Sequence, residues 1–166
     1  MDSSKNIISL TGFMGAGKST VGWELACRLG WPFVDLDAEI EAAAGLAIPD
    51  FFQKYGEAAF RALEIRTLKQ VLESRETPFV LALGGGTICS DEARKAILDR
   101  TCCIFLDASE GEIVRRVGPD TSSRPVFDIA RMQKRLPFYR QAHYEISTDG
   151  KSVQQIVDEI LEREIV

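Results

Sequence analysis

The chain has 166 residues, 45% of them apolar and 27% charged, with a net charge of −5 at pH 7 and a pI of about 5.0. That length suits a single domain over residues 1–166 with its own core, and the balance is that of a soluble globular chain. The acidity argues against a nucleic-acid binder, which needs a basic face to replace phosphate counterions. No run approaches the ~20 apolar residues that span a bilayer. MDSSKNIISL has neither a basic lead nor a long apolar run, so no signal peptide is expected and the chain reads as cytoplasmic.

Strand-like and helix-like segments alternate along the chain. NIISL (6–10) is a short apolar run ahead of a glycine-rich turn, and Lys18 to Leu29 reads as a helix closed by Gly30. PFVDL (32–36) is a second strand, followed by a short helix to about Ala44 that Gly45 ends. Pro49 suits the first position of the next helix, and a longer one runs from Glu57 to about Ser74. FVLAL (79–83) and CCIFL (102–106) are uninterrupted apolar runs, the pattern of buried parallel strands, with a helix from Asp91 to Arg100 between them. Ser109 and Glu112 make a capping-box pattern for a helix reaching about Val117. A helix over roughly Ile129 to Tyr144 places His143, the only histidine, near its end as a structural residue. EIST (145–148) is a last strand, and Ser152 with Gln155 caps a final helix whose apolar face is Val153, Ile156, Val157, Ile160 and Leu161. Five strands alternating with helices define an α/β fold, a parallel sheet covered on both faces. Cys27, Cys89, Cys102 and Cys103 lack metal-ligand spacing and read as core thiols.

Ligands of such sheets bind beyond the carboxyl ends of the strands, and the informative residues follow strands. GFMGAGKS (12–19) matches G-x-x-x-x-G-K-[ST] in full, between a predicted strand and a predicted helix. Gly15, Ala16, Gly17, Lys18, Ser19 and Thr20 are therefore the nucleotide-phosphate residues: backbone amides and the helix N-terminus attract the phosphates, Lys18 bridges them, and Ser19 ligates Mg²⁺. Asp35 and Asp37 end the second strand. One carboxylate can hold hydrated Mg²⁺ while the other accepts the proton of an attacking hydroxyl; the competing use is an N-cap of the helix that follows, a place Asp37 suits. LGGGT (83–87) follows the third strand, and its glycines let backbone approach a ligand. No acidic residue ends that strand, which favours Asp35 as the metal carboxylate. Arg61, Arg116, Arg124 and Arg135 stand out in an acidic chain; Phe52 and Phe60 surround Arg61 with apolar surface, where a guanidinium is costly unless it meets an anion.

GFMGAGKST, FVDLDAEIE, FFQKYGEAAFRALE, LGGGT, the Arg124-Pro125 pair and KRLPFYRQA occur in the order found in shikimate kinases, and over residues 5–148 the chain resembles that family. The resemblance implies a monomeric P-loop kinase with sheet order 2-3-1-4-5 that transfers the γ-phosphate of ATP to the 3-hydroxyl of shikimate. It implies that Lys18 and Ser19 hold ATP and Mg²⁺, that Asp35 lies on the metal side, and that Asp37 binds shikimate hydroxyls and is the base. Arg61 and Arg135 would clamp the shikimate carboxylate, with Gly84, Gly85 and Gly86 lining that pocket. Arg124 would reach the phosphates from a lid over about 117–127, the acceptor region would cover about 37–65, and Arg116 would flank the adenine. The eleven positions from Arg124 to Arg135 are fewer than the family carries, a departure that predicts a reduced lid. The rival readings are a gluconate-type P-loop kinase, which does not require both arginines beside the three glycines, and a nucleotide-binding module without phosphotransfer.

Overall fold

A computed structural model describes residues 6–75, 77–117 and 129–163. Among them five strands form one parallel sheet: β1 (Ile7–Thr11), β2 (Phe33–Asp35), β3 (Phe79–Ala82), β4 (Cys102–Asp107) and β5 (Tyr144–Ser147). Their order is β2-β3-β1-β4-β5, as the resemblance implied. β1 is central, pairing Ile8 with Val80 of β3 and with Cys102 of β4. Every residue of β1 and β3 is buried, because helices cover both faces. Leu10, Leu81, Ile104 and Phe79 form the middle of the core, with Leu25, Leu36, Ile40, Leu68 and Ile97 from the surrounding helices.

The helices are α1 (Lys18–Leu29), α2 (Leu36–Ala44), α3 (Ile48–Glu73), α4 (Asp91–Arg100), α5 (Glu110–Val117), α6 (Ile129–Tyr139) and α7 (Val153–Glu162). Gly30 and Gly45 stop α1 and α2 in the left-handed conformation, as their positions predicted. Ser152 and Gln155 form the complete capping box of α7. The Ser109 box is only half made. Ser109 Oγ accepts from Glu112 N at 3.2 Å, but Ser109 N donates to Asp149 and the Glu112 carboxylate turns to Arg115. A nearby loop carboxylate has replaced the local partner.

Several elements differ from the sequence expectation. The helix expected from Pro49 and the one expected from Glu57 are joined end to end in α3, which bends where Gly56 takes φ 86° and ψ 176°. Pro49 is the second residue of α3, not the first, and Ile48 N is satisfied by Glu41 Oε1 at 3.3 Å. α6 stops at Tyr139 rather than Tyr144, because β5 must already be extended at Tyr144 to pair with Ile104 of β4. Successive i→i+3 bonds, Gln141 N to Phe138 O and Ala142 N to Tyr139 O, tighten the end of α6 into that turn. His143 therefore lies between α6 and β5, where its Nδ1 accepts a hydrogen bond from Cys103 N at 2.9 Å, a structural role. A short 3₁₀ turn, Thr87–Cys89, follows the glycines after β3. None of the four cysteines is in a disulfide, but only Cys103 is fully buried; Cys27 is exposed, since the inner face of α1 is taken by Val21, Gly22, Leu25 and Ala26. Among the described residues no helix is long and apolar enough to cross a membrane.

Candidate active site

The carboxyl ends of β1, β2 and β3 are neighbours in the sheet, and each carries one part of the site. After β1 the chain enters the glycine-rich turn, where Gly15 (φ 85°) and Gly17 (φ 93°) adopt backbone that a side chain would disfavour. Gly17 is the N-cap of α1 and supplies no side-chain cap, and no acidic residue occupies the first turn. The helix thus begins with amide donors and partial positive charge presented to an anion. Lys18 Nζ donates to Gly12 O at 2.5 Å across this turn. Burial lowers the Lys18 pKa to about 8; Arg135 pushes the same way, while Asp37 and Asp35 oppose it. Ala16 points its methyl group into the core.

At the end of β2 the two aspartates divide their tasks. Asp35, not Asp37, caps α2: its Oδ1 accepts from Asp37 N at 3.0 Å and Ala38 N at 3.4 Å. Its Oδ2 accepts from Ser19 Oγ at 3.2 Å. Asp35 thus serves as the cap and also faces Ser19, and the Asp37 side chain is released toward the cavity. Ser19 and Asp35 present hard oxygen donors side by side. Among the described residues no three acidic, cysteine or histidine side chains cluster as a metal cage. A Ser–Asp pair fits Mg²⁺, which keeps waters and takes its remaining ligands from substrate phosphates.

After β3 the three glycines leave room for charged side chains to approach the backbone. None of Gly84, Gly85 and Gly86 has positive φ. A Cβ at Gly84 would lie 2.9 Å from Asp37 Oδ1; at Gly85, 3.1 Å from a guanidinium nitrogen of Arg135; at Gly86, 2.6 Å from one of Arg61 and 3.1 Å from one of Arg135. The turn is the surface on which Asp37 and both arginines converge. Arg61 comes from α3, after the bend, and donates to Glu64 Oε1 at 2.7 Å. Glu64 is 1% exposed, and its Oε2 accepts from Thr87 Oγ1 at 3.0 Å. Arg135 comes from α6 and lies over the Phe13 ring, as Arg61 lies over Phe60. Tyr139 donates to Gly85 O at 2.6 Å. Burial, chiefly, and then the charge of Asp35 raise the Asp37 pKa, with Lys18 in opposition.

These parts share one cavity of about 720 Å³ that runs from the phosphate turn to the arginines and is walled by Ile48, Phe52 and Phe60. It brings together Gly15, Gly17, Lys18, Ser19, Thr20, Asp37, Arg61, Gly84, Gly85, Gly86 and Arg135, and Asp35 stands behind Ser19. The backbone of Arg116 lies in α5, but its side chain and all of Arg124 lie outside the described residues. Sequence reasoning gave no role to Glu64, Thr87, Tyr139 or Arg131, which also lines the cavity. Spacing held a signal for two of them, since Glu64 is three residues after Arg61 and Tyr139 four after Arg135.

A glycine-rich turn at a helix start, a Ser–Asp pair that fits Mg²⁺ and one cavity that gathers Asp37 with two arginines define a P-loop kinase fold. The shikimate kinase family model matches residues 14–164. The shikimate kinase of Thermus thermophilus is 40% identical over 164 residues, covering 94% of this chain and 88% of the relative. The structure of the Acinetobacter baumannii shikimate kinase in complex with shikimate superposes with a TM-score of 0.86 at 35% identity, covering 98% of this chain and 94% of that one. The chain belongs to the shikimate kinase family. A gluconokinase from Sinorhizobium meliloti matches with a TM-score of 0.57 at 20% identity over 93% of this chain and 89% of that one, a likeness of fold alone.

Proposed function

We propose that this enzyme transfers the γ-phosphate of ATP to the 3-hydroxyl of shikimate, giving shikimate 3-phosphate and ADP. The observation that carries the reading is the convergence of Arg61, Arg135 and Asp37 on the Gly84–Gly86 turn, within a cavity continuous with the phosphate turn. The amides at the start of α1 and Lys18 bind the triphosphate. Ser19 and Asp35 hold Mg²⁺, which when bound neutralises phosphate charge. The two guanidinia take the shikimate carboxylate, their planar forks matching its two oxygens. That anchoring turns the ring hydroxyls toward Asp37. Asp37 takes the proton as the hydroxyl oxygen bonds to the γ-phosphorus and the bond to the β-phosphate oxygen breaks, and Lys18 meets the charge that moves onto the leaving oxygen. Arg124 at the phosphates and Arg116 at the adenine complete the proposal by resemblance. The net charge of −5 agrees with an enzyme without a nucleic-acid partner, and a cytoplasmic monomer is the state proposed.

Arg61→Ala should weaken shikimate binding strongly and ATP binding little, and Arg61→Lys should restore only part of it, because an ammonium lacks the planar fork. Titration calorimetry with each ligand measures this, beside a coupled assay offering shikimate or gluconate. Equal loss for both ligands, or turnover of gluconate in place of shikimate, would overturn the assignment.

A further inference from the structure

Tyr139 is 1% exposed, its ring lies 5.2 Å from that of Phe105 on β4, and its hydroxyl donates to Gly85 O at 2.6 Å. The Arg135 guanidinium lies close enough to the same hydroxyl to bias its ionisation, and burial, the larger effect, raises the phenol pKa, so the group remains a donor. Arg135 and Tyr139 stand four residues apart on α6, hence on one face of that helix. The residue that Tyr139 grips is the one against which Arg135 packs, since a Cβ on Gly85 would fall 3.1 Å from Arg135 Nη1. A single face of α6 thus carries a cation of the acceptor clamp and, one turn on, a clasp on the backbone beside it. The ring and hydroxyl of Tyr139 tie the arginine-bearing helix to the sheet and to the glycine turn, beside Phe138, over whose ring Arg94 lies.

We infer that Tyr139 is a positioning residue for the acceptor: its hydroxyl sets the distance between the Gly85–Gly86 backbone and the Arg135 guanidinium, and so tunes recognition of the shikimate carboxylate while leaving the nucleotide end alone. The inference rests on the acceptor site proposed above. It does not make Tyr139 a catalytic residue, because the hydroxyl is spent on Gly85 O.

Tyr139→Phe keeps the ring against Phe105 and deletes the hydroxyl, with both its clasp on Gly85 O and its contact with Arg135. It should raise KM for shikimate by roughly threefold to tenfold, the worth of one neutral hydrogen bond, with kcat and KM for ATP within twofold. Repeating the change in an Arg135→Lys background separates positioning from general loosening. There it should add little, since an ammonium has no planar register against the turn to lose. Thermal melting checks that each variant is folded. A shikimate KM within twofold of the parent, equal rises for both substrates, or the same penalty in the Arg135→Lys background would overturn the proposal. Wild-type protein that does not turn over shikimate would overturn the acceptor reading first, and this proposal with it.

Discussion

Asp37 and Lys18 bias each other's proton affinity across the cavity, and both are pulled away from their ordinary values by burial. Asp37 serves as a base only when ionised. Its pKa is raised, so kcat/KM should fall with acid along a limb that lies above the ordinary carboxylate value, and a pH–rate profile locates it. Asp37→Asn keeps the shape without the basicity. It should lower kcat by about 10²–10⁴-fold with ATP affinity within a few-fold; survival of kcat would reduce Asp37 to a positioning group. Lys18 behaves in the opposite sense. Its ammonium is the form that binds phosphate, and in the free protein it loses its proton as pH rises through about 8. ATP should restore the charge, so binding above that pH should take up a proton and weaken as pH climbs, while below it affinity should be nearly flat. Calorimetry at alkaline pH in two buffers of different ionisation enthalpy measures the uptake, and Lys18→Ala should abolish it. Binding without proton uptake would show that the free ammonium is already fully charged.

At the scale of elements, α3 spans both walls of the acceptor site. Ile48 and Phe52 precede the bend at Gly56, Phe60 and Arg61 follow it, and the Phe52 and Phe60 rings meet across it at 4.5 Å. A straight helix would not return these aromatic faces to one another. Gly56 is required for its backbone alone: φ 86° with ψ 176° is a region other residues avoid, yet a Cβ there would meet nothing within 4 Å. Gly56→Ala should therefore act through strain of about 1–3 kcal/mol, without a clash. The expected result is a lower melting temperature and a raised KM for shikimate, with KM for ATP little changed. Steady-state kinetics and a melting curve decide, and an unaltered shikimate KM would mean that the bend does not shape the acceptor wall.

Over the whole molecule, binding chemistry sits at the carboxyl edge of the sheet and cohesion comes from its middle. Ser9, in the central strand, is fully buried and bonded to Thr101 at 2.7 Å. Thr101 Oγ1 donates its one proton to Ile97 O at 2.7 Å, so Ser9 must be the donor to Thr101. This chain ties β1 to the end of α4 at a distance from every ligand group. Ser9→Ala should cost about 1 kcal/mol, which for a chain of this size lowers the melting temperature by roughly 2–4 °C. Both KM values should remain unchanged. A shift in either KM would show that the middle of the sheet and its edge are coupled.

The sequence by itself determined the phosphate turn, the strand order by likeness, the glycine stops of α1 and α2 and the cap of α7. Those features depend on backbone freedom, hydrophobic period or contacts three or four residues apart, which a linear pattern carries. It also brought Asp35, Asp37, Arg61 and Arg135 into one site through the resemblance. Only the tertiary structure decided that Asp35, not Asp37, caps α2 with Oδ1 while its Oδ2 accepts from Ser19 at 3.2 Å. Only it showed that Glu64 joins Arg61 to Thr87, that Tyr139 holds Gly85, and that α6 yields its last residues to β5. It also showed that the glycines after β3 leave room for side chains rather than supplying any unusual φ. The contacts of Ser19 with Asp35, Thr87 with Glu64 and Tyr139 with Gly85 join groups far apart in the chain, brought together when burial of the sheet packs α2, α3 and α6 around its carboxyl edge. A residue's neighbours there are set by packing, which no local pattern specifies.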